Sequence, residues 1–169
     1  MTAESGAGGY HLRRSDRAVT DPAEVDELLA GGRFVTIAFA RGDEPYLVTL
    51  SYGFDPEARR LYFHAAKEGL KYEFIEANPL VCATVVVDRG YHHGNCEHEY
   101  ASVVMRGTMS VVRDREESRW GMEVLLGQLE TPTDAEALAL KHHLDADAVY
   151  GRMAVLRMDI GEVTAKAGR

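Results

Sequence analysis

The chain has 169 residues, of which 46% are hydrophobic and 27% are charged, a composition typical of a single globular domain with a sizeable core. The formal net charge of −8 argues against a nucleic-acid partner, because such binding needs a concentrated Lys/Arg surface. No apolar run approaches the roughly 18 residues that span a bilayer, so no membrane partner is expected. With two cysteines and no signal-peptide pattern, a reducing cytoplasmic setting is predicted.

The first half of the chain predicts two helices and three antiparallel strands. Residues 1–9 lack apolar periodicity and are expected to form a flexible tail. The Asp21-Pro22 step is typical of a helix start, and the glycine pair that begins at Gly31 ends this helix. Strands are predicted at 33–40, 46–54 and 61–64, followed by a helix at 68–77 that the next Asn-Pro step ends.

The second half alternates strand and helix patterns around a polar loop. Residues 81–87 are nearly all apolar, which indicates a buried strand, and Cys82 is interpreted as part of the core. Asp114 is predicted to cap one helix, and Thr133 and Glu136 form a capping-box pattern at the start of the next. We predict a loop at 88–99, a strand at 100–112, helices at 114–129 and 133–144, a strand at 150–160, and a C-terminal tail at 161–169. A single domain therefore spans residues 10–160, with its two later helices within about 114–144.

The predicted loop gathers five side chains of potential metal or pocket chemistry, namely Tyr91, His92, His93, Cys96 and His98. Imidazole and thiolate groups bind zinc, but their spacing here matches no paired metal motif and the loop has no second cysteine. We therefore predict no metal ligand and interpret the segment as a polar loop at the mouth of a pocket.

The stretch from Leu61 to Lys71 passes from strand to helix character while it gathers positive charge. The first N–H groups of a helix are unpaired and the helix dipole is positive there, so a phosphate group is a suitable ligand. Lys67 and Lys71 are four residues apart and would share one helix face. From these residues alone, a solvated helix start with two surface lysines is the alternative.

The fold class that follows is mainly β. About six strands, mostly antiparallel, are predicted, with helices at the edges and between the third and fourth strands. This arrangement argues for a closed or partly closed β-barrel with flanking helices.

Several motifs occur in an order that resembles a known family. They are Glu-Pro-Tyr at 44–46, Phe-His-Ala-Ala-Lys-Glu-Gly-x-Lys at 63–71, Asn-Pro followed by a Val-Cys strand, and Tyr-x-Ser-Val at 100–103. This order is similar to the FMN-binding split barrels, and more narrowly to the nitroimidazole-resistance branch of the pyridoxamine 5′-phosphate oxidase-like superfamily. The likeness extends over residues 12–112. It implies a six-stranded antiparallel split barrel that binds FMN in a groove between two identical subunits.

The resemblance also implies which residues contact the cofactor. Lys71 and Lys67 would hold the phosphate, Phe63, His64 and Ala65 would follow the ribityl chain, Val48, Thr49 and Leu50 would lie beside the isoalloxazine ring, and Ser102 would add a polar contact. His64 is expected to hydrogen-bond to the cofactor rather than to transfer a proton. No catalytic side chain is assigned, because a flavin itself carries out the electron transfer.

The function implied is that of a homodimeric FMN-dependent oxidoreductase, which passes electrons from a reduced donor to a small electron-poor acceptor such as a nitroaromatic. Vitamin B6 oxidation is not expected, because residues 161–169 do not reproduce the pattern of basic residues with which the pyridoxamine-phosphate oxidases hold their substrate phosphate. Three alternatives stay open: a haem-binding split barrel with an axial ligand from the His92 to His98 loop, a non-catalytic flavin-binding module, and F420 in place of FMN.

Overall fold

A computed structural model describes residues 13–168. The predicted N-terminal tail at 1–9 lies outside the described residues. Within them, no helix is long and apolar enough to cross a membrane.

The described chain contains eight strands and four α-helices. The strands are β1 (Ala18–Val19), β2 (Phe34–Arg41), β3 (Glu44–Ser51), β4 (Gly53–Asp55), β5 (Arg60–Ala66), β6 (Leu80–His92), β7 (Glu97–Val111) and β8 (Met153–Gly168). The helices are α1 (Pro22–Gly31), α2 (Leu70–Ala77), α3 (Arg115–Leu129) and α4 (Pro132–Lys141). Six strands are seven residues or longer, so the predicted mainly β fold with six principal strands is confirmed.

All pairings in the sheet are antiparallel, and the strand order is β3-β2-β6-β7-β8-β5-β4, with β1 added to the end of β8. The path does not close into a ring of hydrogen-bonded strands within the described residues. Its ends nevertheless approach each other, because β3 and β5 contain Cα atoms within 8 Å. This open seam is the split that the fold class predicts.

The inward side chains of the long strands pack into one core, which α1 and α2 cap at the ends. Alternate residues of a strand face opposite sides, so Val35, Ile37 and Phe39 of β2 point inward together. Fully buried members of the core include Leu29, Leu61, Phe63, Phe74, Met105, Leu156 and Met158. At about 25 cal/mol per Å² of apolar area buried, such a core is the main stabilising contribution to the fold.

Helix α3 covers the outer face of β5 and the first part of β8. Its apolar stripe of Met122 and Leu125 packs with Tyr62, Tyr150 and Val155 in a second cluster. The approach is close because two glycines lie at the contact. A Cβ atom on Gly53 would lie 2.5 Å from the Leu125 backbone, and one on Gly121 would lie 2.7 Å from the Tyr62 ring.

The other half of the outer sheet face exposes large apolar side chains. Phe34, Leu47, Leu80 and Val86 are 61–65% exposed. Cys82 lies in the same outward row, paired with Ala38 on one side and Arg106 on the other, and its thiol is exposed. The prediction that Cys82 belongs to the core is therefore wrong, because β6 buries only one of its two faces. We call this region, formed by the outward residues of β2, β3 and β6 and the adjoining ends of β7 and β8, the bare sheet face.

Two segments predicted to lack regular structure are strands. The predicted C-terminal tail at 161–169 is wrong for residues 161–168, because β8 continues through them and pairs with both β7 and β1. The predicted loop at 88–99 is a long hairpin instead, with Tyr91 opposite His98 and His92 opposite Glu97. Both faces of this hairpin are solvated, so its sequence has no apolar alternation by which strands are identified.

The helix boundaries follow their capping residues. Asp21 caps α1 and Asp114 caps α3, as predicted. For α4 the cap is Thr131, whose hydroxyl accepts the Asp134 N–H, and not Thr133. Pro132 explains the earlier start, because its missing N–H and fixed φ suit the first helical position. The helix also ends at Lys141 rather than at 144.

Candidate functional site

The junction between β5 and α2 carries the two lysines that were predicted to bind phosphate. Gly69 precedes the helix with φ of 132°, a conformation that favours glycine, and α2 begins only at Leu70. Lys67 therefore lies before the helix, and the prediction that both lysines share one helix face is wrong. They still lie on either side of the glycine turn, where the helix presents its unpaired N–H groups.

Lys71 lies in the first turn of α2 with its ammonium group over the turn. Its Nζ is 5.0 Å from the centre of the Tyr72 ring, and a Cβ atom on Gly69 would lie 3.6 Å from it. The Tyr72 hydroxyl donates a hydrogen bond to the Ala66 carbonyl, which ties the helix to the end of β5. Lys71 has no ion-pair partner within residues 13–168, so its charge is available to an anion.

Lys67 lines a cavity of about 350 Å³ in which Arg113 and Arg115 add two further cations. The cavity lies between the start of α3, the first residues of β8, and Tyr72 of α2. None of its lining residues is acidic. The sequence analysis did not identify these arginines, although they flank the capping residue Asp114 and so mark a second helix N-terminus beside the first.

The residues predicted beside the flavin ring lie on β3, at one end of the sheet. Thr49 points outward and its hydroxyl is 3.0 Å from the Thr36 hydroxyl, while Val48 and Leu50 point inward and are only partly buried. Because β3 pairs with β2 alone, every second backbone N–H and C=O along its outer edge faces away from the sheet. This edge borders the seam with β5.

Successive side chains of β5 point to opposite faces of the sheet. Phe63 and Ala65 point into the core, with Phe63 fully buried, so only their backbone is available to a ligand. His64 points to the outer face and keeps an exposed surface. Partial burial lowers the pKa of His64, and the charge of nearby His142 lowers it further. A neutral imidazole, able to donate or accept a hydrogen bond, therefore predominates at neutral pH.

Ser102 does not lie with the other eight residues. It belongs to β7, which is separated from β3 by β2 and β6, and from β5 by β8. Its side chain is on the bare sheet face, between Val86 of β6 and Lys166 of β8. The Ser102 hydroxyl oxygen is buried and has no hydrogen-bond partner in the described chain. One chain thus assembles two separate parts of the predicted site.

The histidine-rich segment forms the tip of the β6–β7 hairpin. His98 Nε2 lies 2.8 Å from an Asp88 carboxylate oxygen, and the Tyr91 ring contacts His93 and His98 edge to face. Within residues 13–168, no group of three His, Cys, Asp or Glu side chains is arranged to hold a metal ion. The segment is exposed, and none of its residues lines the cavities described here.

A further cavity, of about 520 Å³, lies on the outer side of β5, and His64 forms part of its wall. Met153 lines both this cavity and the one that contains Lys67. The two cavities, each with cationic side chains in its lining, therefore adjoin at the start of β8.

Comparison with known proteins identifies the family. A family model described as pyridoxamine 5′-phosphate oxidase matches residues 21–167. None of the curated proteins searched matches the chain.

Three solved structures illustrate the fold. A candidate 5-nitroimidazole antibiotic resistance protein from Bacteroides thetaiotaomicron is 20% identical, with a TM-score of 0.72 over 89% of this chain and 86% of the other. The FAD and haem binding protein from Mycobacterium smegmatis is 16% identical, with a TM-score of 0.73 over 90% and 74%. A flavocytochrome from Azotobacter vinelandii is 18% identical, with a TM-score of 0.74 over 95% and 73%.

At these identities the solved structures establish the fold, while the family model covers most of the chain in sequence. The antiparallel sheet with an open seam and flanking helices agrees with both. The protein is thus a member of the pyridoxamine 5′-phosphate oxidase family of flavin-binding split barrels.

Proposed function

We propose that the protein is a homodimeric FMN-dependent oxidoreductase that passes electrons from a reduced donor to a small electron-poor acceptor, such as a nitroaromatic. The observation that carries the proposal is the cationic cavity beside the end of β5, whose lining contains no acidic residue, in a chain of this family. Lys67 and Lys71 flank the N-terminus of α2, and Arg113 and Arg115 lie in the cavity that Lys67 lines. This donor set suits a phosphate monoester.

The residues of β3 and β5 fit the rest of FMN. Val48 and Leu50 offer half-buried apolar surface to a flat ring, and the free edge of β3 offers backbone groups to its polar rim. His64 provides one hydrogen bond from a neutral ring. Bound flavin would supply the electron transfer, so the protein needs no nucleophile of its own and serves to orient the cofactor and exclude water.

The bare sheet face supports a second copy of this chain as partner. It combines four exposed large apolar side chains with small and hydroxyl-bearing ones, and such a patch is characteristic of an interface. Ser102 lies on this face with an unpaired buried hydroxyl, away from the β3–β5 seam of its own chain. In a symmetric dimer, Ser102 of one subunit would complete the site of the other.

A reducing cytoplasm remains our proposed location. Both cysteines are unpaired and exposed, and neither forms a disulfide in the described chain. Unpaired exposed thiols persist best in a reducing compartment.

FMN titration of Lys71→Ala tests the phosphate site. Loss of one charge-assisted contact should weaken binding by about 1–3 kcal/mol, or roughly 5- to 150-fold, measured by quenching of flavin fluorescence. Arg89→Ala is the control, because Arg89 is an exposed cation on the hairpin and lies outside both cavities. Equal affinities of Lys71→Ala and wild type would reject this phosphate site.

Two other functions have distinct signatures. A flavin-binding module would hold FMN that no pyridine nucleotide reduces, whereas the oxidoreductase would lose its flavin absorbance on reduction and regain it on addition of an acceptor. A haem protein would give a Soret band. For haem, His64, His142 and His143, which line one cavity, are better candidates than the hairpin histidines of the sequence-based alternative, which line none of the cavities described above. F420 is tested by titration in place of FMN.

A further inference from the structure

The cavity on the outer side of β5 has an apolar wall. It lies between α3, α4, the turn at Val149–Gly151 and the start of β8, and its volume of about 520 Å³ is that of a small-molecule site. Its wall consists of aliphatic side chains from all of these elements, namely Met122, Leu125, Leu126, Leu138, Leu144, Val149 and Met153.

Every polar side chain that lines this cavity is basic. They are His64, Lys141, His142, His143 and Arg152. No carboxylate lines it, although the chain has 27 acidic and only 19 basic residues. Within residues 13–168, neither Lys141 nor Arg152 has an ion-pair partner. The imbalance is therefore local and opposite in sign to the protein as a whole.

A neighbouring cavity between α3 and α4 shows that this imbalance is not general to the region. That cavity contains Arg119 together with Glu123 and Asp145. Arg119 is already ion-paired, because its Nη2 donates hydrogen bonds to the Asp145 carbonyl at 2.8 Å and to the Asp147 carboxylate at 2.7 Å. The cavity beside His64, in contrast to that one, combines an apolar wall with two cations, Lys141 and Arg152, that have no ion-pair partner within the described chain.

We propose that this cavity binds a small apolar molecule that carries a carboxylate, and that this molecule is the electron acceptor. The apolar body would lie among the leucines and methionines, where burial of its surface favours binding. The carboxylate would meet Arg152, whose planar guanidinium can donate two parallel hydrogen bonds, and Lys141. His64 lines the cavity and belongs to the strand that leads to Lys67, so the ligand would lie beside the strand of the proposed flavin site. The identification as acceptor rests on the proposed function, whereas binding of the carboxylate does not.

Isothermal titration calorimetry with 4-nitrobenzoate tests the proposal on the full-length protein loaded with FMN. We expect one molecule to bind per chain, and Arg152→Gln and Lys141→Gln each to weaken binding about tenfold. The neutral analogue 4-nitrobenzyl alcohol should bind more weakly and respond to neither variant. Arg89→Gln, outside the cavity, is the matched control. Equal binding of the two analogues, or unchanged affinity in both cavity variants, would overturn the proposal.

Three competitors define the ligand class. Inorganic phosphate should not displace 4-nitrobenzoate, and displacement would mean a simple anion site without a role for the apolar wall. Displacement by excess FMN would assign the cavity to the flavin, and a Soret band that appears with haemin and disappears in His64→Gln would assign it to haem. Each of these three results overturns the proposal.

The two proposals can fail separately. If the purified protein binds no FMN, the proposed function fails, while the same titration on the flavin-free protein still reports on the cavity. If FMN binds and is reduced but 4-nitrobenzoate does not bind, the oxidoreductase stands and the carboxylate site is rejected.

Discussion

At the scale of single residues, His64 links the two halves of the proposed site. Its ring forms part of the cavity beside α3, and its backbone lies on the strand that ends at the proposed phosphate site. Because partial burial and His142 lower the pKa of His64 below 6.5, the unfolded chain binds the proton more readily than the folded one. This contribution therefore destabilises the fold as pH falls through the usual histidine range.

We therefore expect the wild type to lose stability more steeply in acid than the His64→Gln variant does. Between about pH 7.5 and pH 5.5, the wild-type free energy of unfolding should fall by up to about 1 kcal/mol more than that of the variant, because solvent at the exposed edge limits the effect. Urea denaturation at each pH measures it. His142→Gln should remove part of the difference, and identical pH profiles for wild type and His64→Gln would contradict the pKa assignment.

Single residues also explain what the sequence could and could not reveal about the site. The run from Phe63 to Lys71 could be identified as a motif, because its candidate cofactor-binding residues are close together in the sequence. Arg113 and Arg115 could not, since they reach Lys67 only through the packing of α3 against β5. The helix start at Leu70 was missed because one residue, Gly69, adopts a positive φ that composition does not reveal.

At the scale of elements, the close contact between α3 and the sheet depends on glycines. The Gly53→Ala methyl would lie 2.5 Å from the Leu125 backbone, which no side-chain rotation relieves. We expect a loss of about 2–3 kcal/mol in the free energy of unfolding, measured by urea denaturation. Gly127→Ala in the same helix is the control, because nothing lies within 4 Å of its new methyl.

The control variant, Gly127→Ala, should instead raise the free energy of unfolding. Alanine in place of a helical glycine restricts the unfolded chain and should stabilise the fold by about 0.5–1 kcal/mol. If Gly53→Ala proved as stable as wild type, α3 would have to pack on β4 less closely than the structure shows.

Elements were predictable where their signals are local. The caps at Asp21 and Asp114 were identified, since each acts within three residues. The strand at 161–168 was not, because its partners in β1 and β7 lie 56 to 148 residues away in sequence and its own pattern of small residues is weak. The extended part of the β6–β7 hairpin was not predicted for a related reason. Polar residues on both of its faces leave no alternation of apolar and polar residues.

At the scale of the whole molecule, the sheet has one outer face covered by α3 and one that is bare. If the bare sheet face is the dimer interface, a charge at its centre should separate the subunits. Val86→Glu places a carboxylate beside Ser102, and its desolvation among the apolar side chains of this face should raise the dimer dissociation constant by about 100-fold or more. Analytical ultracentrifugation over a range of concentrations measures this. Leu140→Glu is the matched control, because Leu140 is equally exposed but lies on α4.

The two cysteines report on the same interface without any substitution. Cys82 lies on the bare sheet face, whereas Cys96 lies at the hairpin tip, and both thiols are exposed in the single chain. A dimer through this face would protect Cys82 from a thiol reagent and leave Cys96 reactive, so wild type should show one fast and one slow thiol. In Val86→Glu both should react fast, with Cys82→Ala identifying each phase. Two fast thiols in the wild type would place the dimer contact elsewhere, and Ser102 would then have no route to the cofactor of a second subunit.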